Sequence, residues 1–155
     1  HLASIVKESH AHRGGSFVEI YQNCNIFNDG AFANMTDKET KMEAQLVLEE
    51  GQPMIFGKDK DKGIVLIGSQ LSVLELGDDR NADDVLIHKS GDKNMARLLA
   101  GMTYNGDLPT PIGVLYKEER ATYDDMMKAQ LQSAVDAKGR GDLDALIKGS
   151  NTWTV

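Results

Sequence analysis

The sequence predicts an α/β chain in two parts, a helix-strand-loop unit over residues 1–33 and a small α+β extension over residues 34–155. Two observations support this prediction. Near the start, apolar residues at helical spacing are followed at once by a continuous apolar run, which is typical of a buried strand. Further along, short apolar runs separated by turn residues precede segments with amphipathic helical spacing.

The first part is predicted to be a helix that leads into a strand. Residues 2–6 show helical apolar spacing, and the Arg-Gly-Gly sequence at residues 13–15 ends the helix. Residues 17–20 then predict a largely buried strand, and the polar residues 22–31 predict a loop after it. Side chains at the carboxyl edge of an open α/β sheet face a crevice, so we expect chemistry in this loop.

The second part is predicted to begin with a small antiparallel meander. Short apolar runs alternate with turn residues such as Gly51, Pro53 and Gly68, as in successive hairpins. The runs are residues 45–48, 54–56, 63–67, 71–76 and 85–88.

Three helices are predicted after the meander. Apolar residues over 95–102 indicate a helix that begins at residues 90–92. Thr122, followed by acidic residues in the first turn, begins a longer helix that ends at Gly139. Residues 142–148 fit a last short helix.

Two further features lie between and after these helices. Pro109 and Pro111 exclude a helix and leave residues 112–116 as an edge strand. Trp153 is expected to pack as an anchor, because its ring can bury a large area.

The composition is that of a soluble globular chain with acidic character. The 155 residues are 41% hydrophobic and carry a formal net charge of −7, which argues against a nucleic-acid partner. No apolar run is long enough to cross a membrane, so no membrane association is expected. The single cysteine excludes an internal disulfide, and we therefore expect a reducing, cytoplasmic location.

Cys24 follows the predicted strand and has several possible roles. It is interpreted either as a core cysteine, since free cysteines are often buried, or as a reactive thiolate. The second role requires a nearby positive charge or a helix N-terminus, which the sequence does not show. Asn28 and Asp29 lie in a turn sequence that also fits a solvated loop. Glu19 is either a buried carboxylate or an outward-facing residue.

The residues around Cys24 resemble the beta subunit of the 2-oxoacid:ferredoxin oxidoreductases. In that family the corresponding strand runs into a Gln-x-Cys-x-x-Phe-Asn motif, which matches Gln22, Cys24, Phe27 and Asn28. The surrounding sequence is most similar to members that act on 2-oxoglutarate.

Two later segments agree with this resemblance. Residues 50–57 resemble a hairpin of the family, and residues 109–114 resemble its late proline-rich strand. By this resemblance the chain is the carboxyl-terminal half of the subunit. Residues 1–33 would be the last helix, strand and loop of its doubly wound, thiamin-diphosphate-binding domain.

The family's thiamin diphosphate motif, Gly-Asp-Gly with a downstream Asn that helps hold magnesium, is absent from this sequence. All four Gly-Asp pairs lack the following glycine. Because the chain opens with His1 inside a predicted helix, we expect the cofactor half to lie upstream. This chain alone is therefore expected to bind none of the family's cofactors.

The resemblance implies specific roles for three residues. Cys24 would be the fourth thiolate of a 4Fe-4S cluster whose other cysteines lie elsewhere, because such clusters take four cysteine ligands. Asn28 and Asp29 would lie close to the cluster and the thiamin cofactor and help to close the site.

The resemblance also implies the reaction of the complete enzyme. It would be coenzyme A-dependent oxidative decarboxylation of 2-oxoglutarate or another 2-oxoacid, with ferredoxin as electron acceptor and an alpha subunit as partner. The acidic chain provides no basic patch for ferredoxin, so we expect docking elsewhere. The alternative is a noncatalytic module for subunit interaction and assembly.

Overall fold

The computed structural model describes residues 1–77, 82–103, 105–150 and 153. The helices are α1 (Leu2–Ala11), α2 (Ala33–Thr36), α3 (Lys41–Ala44), α4 (Lys93–Met102), α5 (Tyr123–Lys138) and α6 (Leu143–Lys148), with a 3-10 turn at Ala82–Asp84. The strands are β1 (Gln45–Val47), β2 (Ile55–Phe56), β3 (Lys62–Ile67), β4 (Gln70–Glu75) and β5 (Thr110–Ile112). This mixture of helices with parallel and antiparallel strands agrees with the predicted α/β class in its coarse form.

The chain divides into two compact units. The first contains His1–His12 with Ser16–Glu118, and the second contains Arg13–Gly15 with Glu119–Val155. The boundary predicted at residues 33 and 34 concerns a larger domain and stays a prediction.

Strands β2, β3 and β4 form an antiparallel sheet in the first unit. The β3–β4 hairpin pairs Ile64 with Val73 and turns at Gly68, whose φ of +64° suits glycine. This sheet confirms the middle of the predicted meander.

The last predicted run of the meander, residues 85–88, joins this sheet without forming a regular strand. Leu86 donates its N–H to the Ile64 carbonyl at 2.8 Å and accepts from the Met54 N–H at 2.9 Å. The run therefore satisfies its backbone groups at the end of the sheet, as an additional strand would.

Strands β1 and β5 pair in parallel, which differs from the predicted meander. The predicted edge strand at residues 112–116 is also displaced, because the paired residues are Thr110–Ile112. Proline has no N–H to donate to a neighbouring strand. Pro111 is tolerated because this pairing uses the carbonyl of the next residue, Ile112, which accepts from the Leu48 N–H at 2.8 Å. The positive φ of Gly113, +131°, then ends the strand.

A single apolar core lies between the sheets and α4. Asp92 caps α4 by accepting from the Asn94 and Met95 N–H groups at 2.8 and 3.2 Å, which confirms the predicted start. The helix then buries Leu99 and Met102 completely. Each such side chain contributes about 1.5–3 kcal/mol relative to an exposed one. The other core members are Leu46, Leu48, Met54, Phe56, Ile64 and Val85.

His88 is the buried polar side chain in this region, with an exposed fraction of 1%. Its Nε2 lies 2.9 Å from the Val114 carbonyl, which only accepts, so Nε2 is the donor. Its backbone N–H donates to the Gln52 carbonyl at 2.9 Å. His88 thus ties together two segments that are distant in sequence.

The strand predicted over residues 17–20 does not form. Residues 16–23 have no regular secondary structure, and Phe17 and Ile20 are 90% and 54% exposed. A strand needs a neighbour for its backbone groups, and no described segment of the chain pairs with this one.

The second unit begins its long helix as predicted. The Thr122 hydroxyl accepts from the Asp125 N–H at 3.2 Å, and the Asp125 carboxylate accepts from the Thr122 N–H at 3.1 Å. Contacts with the Thr122 backbone and hydroxyl, and then the charge of Arg13, hold the pKa of Asp125 below its usual value although burial acts to raise it. Gly139, with φ of +78°, ends α5 as expected.

The end of the chain agrees with the predictions only in part. Asp142 caps α6 by accepting from the Ala145 N–H at 3.1 Å, as its position in the sequence predicts. The anchor role predicted for Trp153 is wrong, because 85% of this residue is exposed.

Membrane-spanning length and hydrophobicity are found in none of the helices that the structure describes.

We predict that Gly113→Ala lowers the free energy of unfolding by about 2 kcal/mol. An added Cβ would lie 2.9 Å from the Leu48 carbonyl oxygen, at a φ that favours glycine. Urea unfolding followed by circular dichroism measures the effect. The control is Gly101→Ala in α4, where the Cβ meets open space and the helix gains stability. Equal stability of the two variants would contradict the requirement for glycine at residue 113.

Candidate functional site

The loop that carries Cys24 is closed at its base by two aromatic rings. We define residues 22–31 as the cysteine loop. Tyr21 before it and Phe32 after it stack with ring centroids 5.1 Å apart and an interplanar angle of 20°. Such a pair contributes about 0.5–1.5 kcal/mol beyond the area that it buries. The stack therefore holds the two ends of the loop together.

The side-chain amide of Asn23 forms hydrogen bonds to the far side of the loop through both its nitrogen and its oxygen. Its Nδ2 donates to the Asp29 carboxylate at 2.9 Å, and its Oδ1 accepts from the Gly30 N–H at 2.9 Å. Gly30 has φ of +74°, which a glycine adopts without strain. The amide thus fixes the far side of the loop relative to Cys24.

Cys24 lies at the start of a tight turn within the loop. Its carbonyl accepts from the Asn28 N–H at 2.9 Å, and the two residues form an isolated antiparallel bridge. Its side chain is half-buried and lies outside the apolar core, which contradicts its interpretation as a core cysteine.

The turn lowers the pKa of the Cys24 thiol from its usual value. The backbone N–H of Phe27 has the largest effect, followed by that of Ile26, and the N–H of Asn28 acts in the same direction. Burial acts against them. Hydrogen bonding to the charged form stabilises it, so the turn favours a thiolate.

This backbone contribution is not apparent from the sequence. The sequence predicts neither a cation nor a helix N-terminus beside Cys24, and the structure supplies the positive environment from backbone N–H groups instead. The turn residues 28–30 were the one available signal, because their Asn-Asp-Gly sequence reverses the chain.

The other predicted site residues lie at different places on this surface. Asn28 and Asp29 are exposed, and Asp29 is held by Asn23. Glu19 is also exposed, which excludes its interpretation as a buried carboxylate. The structure therefore brings Cys24, Asn28 and Asp29 into one loop and leaves Glu19 on the segment before it.

A surface depression of about 240 Å³ lies beside the cysteine loop. It shares Asn23 and Gly30 with the loop, and the helix α2 forms its other side. Its lining consists of Asn23, Gly30, Phe32, Ala33, Thr36 and Asp37. The loop and the depression therefore adjoin on one surface of the chain.

A complete metal site is absent from the described ranges of the chain. No group of three or more His, Cys, Asp or Glu side chains converges there. Cys24 is the one thiol of the sequence, so the described residues offer a cluster a single thiolate ligand.

Comparison with curated proteins finds a relative of this chain. The chain is 32% identical to the 2-oxoglutarate oxidoreductase subunit KorB of Mycobacterium tuberculosis over 158 residues. The match covers 99% of this chain and 42% of the relative, so the chain spans less than half of the relative's length. It confirms the resemblance that the residues around Cys24 indicate. No protein-family model and no solved structure matches the chain.

We predict that Cys24 in the folded chain is alkylated by iodoacetamide at lower pH than an ordinary thiol. The N–H groups of the turn lower its pKa, so its thiolate forms earlier as the pH rises. The rate is measured against pH by intact mass spectrometry. The same chain unfolded in urea is the matched control. If the alkylation rate of the folded chain reaches half its maximum at an equal or higher pH than that of the unfolded chain, the turn does not lower the pKa of Cys24.

Proposed function

We propose that this chain is part of a 2-oxoglutarate oxidoreductase subunit and supplies one cysteine ligand, Cys24, to a 4Fe-4S cluster. The proposal depends on one observation, the half-buried thiol whose turn N–H groups favour the thiolate. Hydrogen bonds to cluster sulfurs are also one of the factors that set a cluster's reduction potential. The similarity to KorB supports the choice of enzyme.

The donor set of the chain fits one corner of such a cluster. A 4Fe-4S cluster takes four thiolates, and this sequence contains one cysteine. The remaining three would come from polypeptide outside these 155 residues. The thiamin diphosphate and magnesium motif is not in this sequence, so we assign none of its residues to that cofactor.

The complete enzyme would catalyse coenzyme A-dependent oxidative decarboxylation of 2-oxoglutarate, with ferredoxin as electron acceptor and an alpha subunit as partner. Bound thiamin diphosphate would supply the carbanion chemistry, and the cluster would supply a path for single electrons. This chain alone would be inactive. The free thiol fits a reducing compartment such as the cytoplasm.

Within that enzyme, the cysteine loop would position the thiolate and exclude water from it. Ile26 and Phe27 follow Cys24 and are 79% and 89% exposed, so they would be covered by the polypeptide that brings the other ligands. Asn28 and Asp29 would border the cofactor side of the loop. The hydrogen bond from Asn23 already orients Asp29 for this role.

We predict that Cys24→Ser in the full-length subunit removes most of the iron and sulfide. A serine hydroxyl is a poor replacement for a thiolate in binding iron, so the cluster loses a ligand. Iron and sulfide analysis with the electron paramagnetic resonance spectrum measures the loss. Asn25→Ser, in the same exposed loop, is the matched control and should retain the cluster. Unchanged cluster content in Cys24→Ser would remove Cys24 from the ligand set.

We predict that the double variant Asn28→Ala and Asp29→Ala lowers turnover of the complete enzyme by about tenfold, as outer partners of metal sites do. Cluster content should remain, because Cys24 is intact. Steady-state kinetics with 2-oxoglutarate and a one-electron dye measure the change, with Asn25→Ala as control. Wild-type kinetics would remove these two residues from the mechanism.

A second candidate function is a noncatalytic module for subunit assembly. It is favoured by exposed apolar side chains on the terminal helices, among them Leu131, Leu146 and Ile147, which are 60%, 78% and 74% exposed. If these side chains form a contiguous patch, that patch would be typical of an interaction surface.

A further inference from the structure

Helix α5 carries an apolar stripe that is only partly covered, with its centre the most exposed. Met127, Leu131 and Val135 are spaced four residues apart on one face and are 36%, 60% and 36% exposed. Most of the stability of a helix in a protein comes from packing of its apolar face against a partner surface. The stripe therefore requires a partner surface.

The charges of α5 indicate what kind of surface it fits. Asp124 lies in its first turn beside Asp125, whose carboxylate is paired with Arg13 at 2.9 Å, while Lys138 ends the helix and Arg140 follows. A second α5 in parallel orientation would bring like charges together. In antiparallel orientation the acidic end of each helix meets the basic end of the other. The two helix dipoles then point in opposite directions, which is also favourable.

We propose that α5 packs against α5 of a second copy of this chain, antiparallel and around a two-fold axis at Leu131. Four residues to either side of the axis, Met127 then lies opposite Val135 of the other copy. Seven residues to either side, Asp124 lies toward Lys138. Each contact occurs twice, as in any interface formed by the same patch on both copies.

The packing mode agrees with this pairing. Residues 124, 127, 131, 135 and 138 follow one another at spacings of three and four residues, which suits the shallow crossing of about 20° in which two helices stay side by side. Leu131, the most exposed of the three apolar residues, lies at the centre. The inference is independent of the cluster assignment, because none of these residues belongs to the cysteine loop.

Cross-linking tests the position of the axis. Since Cys24 is the only cysteine, a Cys24→Ser and Leu131→Cys variant has one thiol per chain. Under mild oxidation this variant should form a disulfide-linked dimer, because the two-fold axis brings the two copies of residue 131 together. Ser133, on the opposite face of α5, gives the matched control Cys24→Ser and Ser133→Cys, which should stay largely monomeric. Circular dichroism verifies that both variants fold.

Charge reversal tests the orientation. Asp124→Lys should weaken self-association about three- to tenfold in sedimentation experiments, and adding Lys138→Asp should restore it. Both substitutions oppose the dipole of α5, so a mere loss of helix stability would make the double variant weaker than the single one.

Three results would overturn the proposal. They are a wild-type chain that sediments as a monomer up to its solubility limit, equal cross-linking through residues 131 and 133, or a double charge variant that associates no better than Asp124→Lys. A monomer would indicate instead that another segment or another protein covers the stripe.

Discussion

The hydrogen bonds of Asn23 are the constraint on which the geometry of the cysteine loop depends. The loop lies outside the apolar core, so burial of its side chains does not determine its shape. Asn23 compensates by binding Asp29 and Gly30 at once, at 2.9 Å each. Neutral hydrogen bonds contribute about 0.5–1.5 kcal/mol each, and bonds to charged groups more. Together with the aromatic stack at the base, they give the polar loop one defined conformation.

This conformation has a chemical consequence at Cys24. Because the turn is held closed, consecutive backbone N–H groups lie near the sulfur and stabilise its charged form. Metal binding requires the thiolate, so a lowered pKa reduces the cost of releasing the proton when a metal binds. A single thiolate nevertheless supplies one ligand only. We therefore propose that the cysteine loop is one part of a larger metal site whose other ligands lie outside this chain.

Features that depend on neighbours in sequence could be predicted well. The caps of α4 and α5 at Asp92 and Thr122 agree with the structure because each involves residues two or three positions apart. Features that depend on distant partners could not. The parallel pairing of β1 with β5 joins residues 45–47 to residues 110–112, and no local pattern encodes that choice. The strand expected at residues 17–20 has the right composition but no described neighbour to pair with.

The candidate site shows the same division between side-chain and backbone information. The proposed role of Cys24 follows from its place in a motif that resembles the family's. The pKa of its thiol depends instead on backbone N–H groups, which every residue but proline carries and which only the folded turn directs at the sulfur. The most direct test is anomalous diffraction at the iron absorption edge from crystals of the complete subunit. We predict an iron peak at bonding distance from the Cys24 sulfur. An iron cluster far from Cys24, or no iron peak in active enzyme, would contradict it.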